Sequence, residues 1–424
     1  MEEAVKPAIA KAKTTKSRVM MRRMKSPGKN RPHSSSLTDQ KDLLTPYPNS
    51  NDGGEVWPAL TGLRGLAALA VLLLHAYILG GQPASLSAPV RWLLGMGWSG
   101  VDVFFVLSAF LLSLPFLRAQ AAGQVVSLRR YFWRRALRIL PAYYAQIVVL
   151  LLAGALGASW AWREPTMPSV LAHGLLWLNA WPLVHPQVPL WWTLPVEAGF
   201  YLLLPWFARL LRPGRWQWLL VFIVLSQAWR AALMHAGLTR VEEIAWVEHL
   251  PGRLDQFLVG MLTAYFWTQR SQSKSLPSSG RADATALVSM LIFLALPAIG
   301  LLIGDRPFEG APVTSPWLLA WHLYAAVAVA TLLFALASGA PRLGRLLAAA
   351  PLRFLGTISF SLYLWHYPVL LALRDTSGGY AAVRADFWPY FWPGLLFSVL
   401  VAAISWWCVE RPAQLWGRRV KLTT

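Results

Sequence analysis

Ten long apolar segments dominate this 424-residue chain, near 58–80, 98–117, 141–161, 194–211, 216–235, 253–269, 284–303, 316–337, 354–373 and 390–408. Each is about as long as a helix needs to be to cross a bilayer core, roughly 20 residues. Together they predict an all-α fold, a polytopic membrane helix bundle with about ten transmembrane helices. Composition agrees: 56% of residues are hydrophobic, 24 are Trp, and only 14% are charged. An eleventh stretch, 169–184, is short and interrupted by Asn179, Pro182 and His185.

The net charge of +20 would suggest a nucleic-acid partner in a soluble protein. Here the basic residues gather in the N-terminal tail and in short connections, so they read as orientation charge. With the N-terminus inside and 169–184 not crossing, 30 of the 39 Lys and Arg fall on the inner side. If 169–184 crossed, every later basic loop would face out. The expected topology therefore has ten spans, both termini cytoplasmic, and 169–190 as a re-entrant or interfacial segment outside. Residues 1–55 are polar and rich in Lys, Arg, Ser and Pro, which predicts a disordered basic cytoplasmic tail. Residues 56–412 form the expected transmembrane domain and 413–424 a cytoplasmic C-terminal tail. The single cysteine, Cys408, excludes an intramolecular disulfide, and no CxxC, zinc spacing or Walker glycine loop occurs.

Ionisable residues inside membrane helices are costly and usually functional. Arg64 and His75 both lie in the first apolar segment. Eleven residues make three turns plus about 20°, so both project from one face, about 16.5 Å apart along the axis. The alternative is a snorkelling Arg and a His buried against a neighbouring helix. In the expected topology His75, Asp102, Glu197, Arg253, Asp255 and His366 share one outer depth, while Arg64, Arg135 and Arg138 share the inner one. That arrangement predicts a basic inner vestibule joined to an outer polar pocket, with His366 as the only other His within a span at the depth of His75. Asp102 and Asp255 also sit where a carboxylate would simply favour a helix start. Lipid anchoring accounts for most arginines of RRYFWRRALRIL.

Seven motifs occur in order: LTGLRGLAALAVLLLHA (60–76), GVDVFFVLSAFLLS (100–113), YFWRRALRILPAYY (131–144), LWWTLPVEAGFYLLLP (190–205), GRLDQFLVGML (252–262), ISFSLYLWHYPVLL (358–371) and VERP (409–412). Over about 60–412 the chain resembles the acyltransferase-3 family of integral membrane O-acyltransferases. The resemblance implies transfer of an acyl group, usually acetyl from acetyl-CoA, to a hydroxyl of an extracytoplasmic glycan or lipid-linked sugar. It implies that Arg64 and His75 are the essential pair, and that Arg135 and Arg138 are the family's Arg-x-x-Arg. Glu197 fits the family's Ser-x-Glu, but Pro195 stands where Ser is usual. Ala109 replaces a usual Gly, a change expected to affect packing. Some members carry a further soluble hydrolase-like domain; a chain ending at 424 is expected to lack it.

Such a reaction needs a base, a site for the donor and a route between them. The expected catalytic residues are His75 as base, Glu197 and Arg64. His75 suits the role because imidazole ordinarily titrates near operating pH. Glu197, Asp102 or Asp255 is the candidate carboxylate neighbour for it. Arg64, Arg135 and Arg138 are the expected acyl-CoA site, since guanidinium forks match phosphates. Asp102, Asp255, Arg253 and His366 are the expected acceptor-binding residues. No permanently bound cofactor or metal is expected, and the expected partners are acyl-CoA, the glycan acceptor and membrane lipid. Direct attack and an acyl-His relay both remain open. A transporter or flippase of a lipid-linked glycan would also need an intramembrane polar pocket, but the internal repeats common in transporters are missing. A non-enzymatic scaffold is the other class.

Overall fold

The structure is a computed structural model that describes residues 57–83, 85–162, 165–177, 187–236, 246–302 and 316–420. The basic tail expected at 1–55 lies outside the described residues. Every one of the ten apolar segments contains a helix: α1 (Pro58–Leu79), α3 (Gly100–Ala121), α4 (Leu128–Ala155), α6 (Thr193–Ala208), α7 (Gln217–Met234), α8 (Leu250–Gln272), α9 (Ser279–Leu302), α10 (Pro316–Ala337), α13 (Ser359–Thr376) and α15 (Trp388–Ser405). Shorter helices connect them: α2 (Ala88–Gly95), α5 (Met167–Gly174), α11 (Pro341–Leu347), α12 (Ala350–Thr357), α14 (Gly379–Ala385) and α16 (Arg411–Arg419). No strand occurs among the described residues.

By length and apolar composition six helical runs are able to cross a membrane, and seven if α12 and α13 form one broken span. The remaining helices, α6, α7 and α8, fall short of that measure for visible reasons. α6 has only 16 residues, the apolar part of α7 is short, and α8 carries Arg253, Asp255 and Arg270. The segment expected at 354–373 is not one straight helix. α12 and α13 meet at Ile358 with a bend of 77°. Beside the bend α12 crosses α1 closely. A Cβ on Gly356 would lie 1.8 Å from the Thr61 carbonyl oxygen, and one on Gly65 would lie 2.1 Å from that of Leu352. Glycine at both positions lets the two backbones touch, the usual device where lipid gives helices no hydrophobic drive to associate.

α8 forms the centre of the bundle. It packs on α3, α7, α10 and α6, and Phe257, Leu258, Met261 and Ala264 are fully buried. Phe257 stacks on Phe200 of α6 at 4.1 Å and on Phe105 of α3 at 4.6 Å. Ala109 does sit at a packing contact: its Cβ would be 2.9 Å from a Cβ added to Gly260. α2, a 3-10 turn (Met96–Ser99) and α3 run on as one 34-residue helical stretch. α15 continues through a π-helical turn (Trp406–Glu410) into α16.

α5, within the stretch expected to be re-entrant or interfacial, is eight residues long, too short to span. Residues 178–186 of that stretch lie outside the described residues. His173 of α5 is buried; its Nδ1–H donates to the Ser169 carbonyl at 2.6 Å and its Nε2 accepts from the Gln187 amide at 3.0 Å. Burial holds its pKa below the usual imidazole value, so it is a neutral tie between α5 and the following chain.

Candidate active site

α4 starts at Ser127, whose hydroxyl accepts from the Arg130 amide at 3.4 Å. From there Tyr131, Arg135, Arg138, Ile139 and Ala142 recur at helical spacing on one face. Tyr131, Ile139 and Ala142 on that face are buried, whereas Arg129, Arg130 and Arg134 are exposed. Helical period together with burial therefore separates the two inward arginines from the surface ones.

Arg135 and Arg138 open onto a cavity of about 340 Å³ enclosed by α1, α3, α4, α6 and α13. Arg64 of α1 lines it as well, beside the α1–α12 crossing at Gly65. The α3 lining runs from Val101 to Pro115, about 21 Å along the axis at 1.5 Å per residue. Ser108, Glu197 and Tyr201 line its middle, and Thr193 and Tyr363 line the part near Val101. The cavity is thus elongated along the bundle, with Arg135 toward its Pro115 end, where Tyr131 packs on Phe116, and Arg64 level with Phe104, between the Trp57–Phe110 and Ala67–Gly100 contacts of α1 with α3.

The cations are not equivalent. Arg138 is ion-paired with Glu410, which is buried in the π-helical turn. Glu410 also accepts from the Ser361 hydroxyl at 2.8 Å and from the Gln414 amide at 2.9 Å. The Arg135 guanidinium lies 5.8 Å from the Tyr201 ring centroid, over its face, and its Nε has no hydrogen-bond partner. Glu197 sits on the second turn of α6. Its carboxylate accepts from Tyr201 one turn later and from Ser108 of α3 at 3.4 Å. With Pro at 195, the hydroxyls at this carboxylate come from Ser108 and Tyr201. Neither residue stood out in the sequence, because neither is ionised at neutral pH and each falls inside an apolar run.

His75 and His366 come together. His366 Nε2 lies 3.3 Å from His75 Nδ1, and the rings are 5.2 Å apart. Tyr367 packs on the edge of His75 at 5.5 Å. Tyr363, which lines the cavity, is 6.0 Å from His366. The pair therefore adjoins the cavity through Tyr363, although His75 itself is not a lining residue. No carboxylate accompanies it among the described contacts, so the expected neighbour of His75 is an imidazole instead.

The other expected outer residues do not join that pair. Asp102 is 1% exposed and is no helix cap, since helix precedes it. Its carboxylate accepts from Arg253 at 3.2 Å, from the Trp321 indole at 3.1 Å, and from Gln256. Arg253 bonds Glu248 through two nitrogens, at 2.7 and 2.6 Å, and contacts His322. Burial raises the Glu248 pKa, against the pull of Arg253. Asp255 pairs with buried Arg230 at 2.5 Å and accepts from Gln227 at 2.8 Å. These groups tie α3, α7, α8 and α10 together, and none of them lines the cavity. The expectation of a single outer pocket fails here because arginines on neighbouring helices claim both aspartates. His322 of α10 is also a second intramembrane His besides His366, contrary to the expectation that His366 stood alone. His322 falls within the 316–337 segment and was legible there as a buried titratable residue.

A family profile described as an acyltransferase domain matches residues 57–409. The chain belongs to the acyltransferase-3 family. This acyltransferase-3 chain is 27% identical over 381 residues to the peptidoglycan O-acetyltransferase OatA of Listeria monocytogenes, covering 84% of this chain and 55% of that protein. It is 24% identical over 382 residues to the O-acetyltransferase OatA of Staphylococcus aureus, covering 85% of this chain and 57% of the relative. The chain thus spans somewhat over half the length of these relatives. No solved structure matches it.

Proposed function

We propose that this acyltransferase-3 protein moves an acetyl group from cytoplasmic acetyl-CoA to a hydroxyl of an extracytoplasmic glycan, within the cytoplasmic membrane. The name of the Listeria relative favours peptidoglycan as the acceptor. The observation that carries the reading is one elongated cavity lined by Arg64, Arg135 and Arg138, whose Tyr363 packs beside His366 of the His75–His366 pair. The excess of basic residues on one side supports a cytoplasmic location for the Arg135 end and for both termini.

In this reading the CoA phosphates meet Arg135, and the pantetheine arm extends along α3 past Ser108 and Glu197 toward Arg64. His75 takes the proton from the acceptor hydroxyl as its oxygen attacks the thioester carbonyl carbon. The carbon–sulfur bond breaks, the CoA thiolate leaves, and that proton finally neutralises the thiolate. An intermediate acyl-His is compatible with the same geometry. General-base assistance of this kind contributes about 10²–10⁴-fold.

The test is the purified protein in nanodiscs with acetyl-CoA and a soluble muropeptide or lipid-linked glycan. Acceptor-dependent release of CoA with acetylation of the glycan is expected. Release that does not depend on any glycan hydroxyl would reject the reading.

A further inference from the structure

The hydrogen-bond pattern at the two histidines assigns their protons. His75 Nδ1 lies 2.8 Å from the Val71 carbonyl oxygen. His366 Nδ1 lies 2.7 Å from the Leu362 carbonyl oxygen. A carbonyl oxygen only accepts, so each Nδ1 carries a hydrogen. In the neutral imidazole, each Nε2 is then a lone pair. His366 Nε2 directs that lone pair at His75 Nδ1, 3.3 Å away. The Nδ1–H of His75 is therefore shared between Val71 and His366. His75 Nε2 has no hydrogen-bond partner among the described residues.

We propose that His366 is a positioning residue for His75: its Nε2 accepts from the His75 Nδ1–H, fixes the ring and its tautomer, and leaves His75 Nε2 as the atom that takes the substrate proton. This rests on the reading of His75 as the base and replaces acceptor binding as the role of His366. The physical logic is that of any base whose far nitrogen is held by an acceptor. When His75 gains a proton at Nε2, its Nδ1–H becomes a stronger donor, and the His366 lone pair stabilises the cation that forms. No carboxylate does this here, because Asp102 and Asp255 are bound to Arg253 and Arg230, and Glu197 to Tyr201 and Ser108. His366 can serve because it is itself anchored. It is buried, Leu362 holds its Nδ1–H, and the Tyr363 ring packs beside it at 6.0 Å.

Two conservative variants separate this role from a structural one. In His366→Gln the side-chain amide reaches the place of Nε2 and keeps an acceptor there. In His366→Asn the amide reaches only the place of Nδ1, so polarity is kept while the contact to His75 is lost. Both are measured in nanodiscs with acetyl-CoA and the glycan acceptor, alongside His75→Ala. We expect His366→Asn to lower kcat by about 10- to 100-fold with both KM values nearly unchanged, and His366→Gln to recover most of it. A raised acceptor KM with kcat kept in either variant would return His366 to substrate binding and overturn the proposal. Equal kcat loss in Gln and Asn, with both monodisperse, would overturn it too. If His75→Ala itself turns over like the parent, the underlying reading of His75 is wrong. If His75→Ala is inactive while His366→Asn matches the parent, the positioning role alone is wrong.

Discussion

The carboxylate of Glu410, buried in a π-helical turn near the end of the chain, is ion-paired with Arg138 near the start of α4. Such turns inside helices are frequent at functional sites, and here one aims a carboxylate at a cavity-lining arginine. Arg138 and Arg135 read alike in the sequence but are set apart by this partner.

The two arginines should therefore respond differently to removal. Arg138→Ala leaves Glu410 buried without its cation, a change that costs about 3–5 kcal/mol in typical cases. A clear fall in thermal midpoint in detergent is expected. Arg135→Ala should keep its melting temperature and raise KM for acetyl-CoA while largely preserving kcat, because it removes a binding cation and breaks no buried pair. Equal melting temperatures for the two variants would show that the Glu410 pair carries no stability.

Asp102 should behave as part of the frame. Asp102→Ala strips Arg253 of one of its two carboxylates and leaves the Trp321 indole and Gln256 without their acceptor. Loss of stability by several kcal/mol, about 2–4, is expected. Asp102→Asn should cost less, since the amide oxygen still accepts and Glu248 still holds Arg253. Thermal unfolding of the two variants checks the order. An acceptor KM change with unaltered melting would instead restore Asp102 to a binding role.

Gly65 bears on Arg64 through the backbone. A Cβ there would meet the Leu352 carbonyl oxygen at 2.1 Å, too close for either backbone to yield cheaply. Gly65→Val should push α1 from α12 and displace the neighbouring Arg64. A loss of acetyl transfer of at least tenfold is expected in protein that still inserts, read from turnover by the monodisperse fraction. Parent-like turnover would mean that the crossing is loose.

The proposed orientation makes its own prediction. Reporter fusions at residue 278, before α9, and at residue 345, within α11, should both report a cytoplasmic location. The reason is the concentration of 30 of 39 basic residues on that side. A periplasmic or extracellular signal at either would reverse the cavity and place the arginines away from cytoplasmic acetyl-CoA.

The order of the helices was legible in the sequence, because an apolar run is a local property, but their ends were not: α4 starts at Leu128 rather than near 141, and the 354–373 segment breaks at Ile358. Arg135 and Arg138 were singled out by the family's Arg-x-x-Arg, and the structure turns them to the buried face of α4. That Arg64 of α1 lines one cavity with those two arginines of α4 was decided by which helices adjoin. What each polar side chain touches was decided by tertiary structure. His75 meets His366 across 291 positions, Glu410 reaches Arg138 across 272, and Asp102 is claimed by Arg253. Depth along a helix can be counted from sequence, but depth does not say which helices adjoin. Asp102 and His75 were expected at one level, yet α3 turns Asp102 toward α8 and α10 while α1 turns His75 toward α13. A buried charge takes the partner that packing brings nearest, and that choice is made by crossings such as Gly65 on Leu352, where close backbone approach depends on both helices at once.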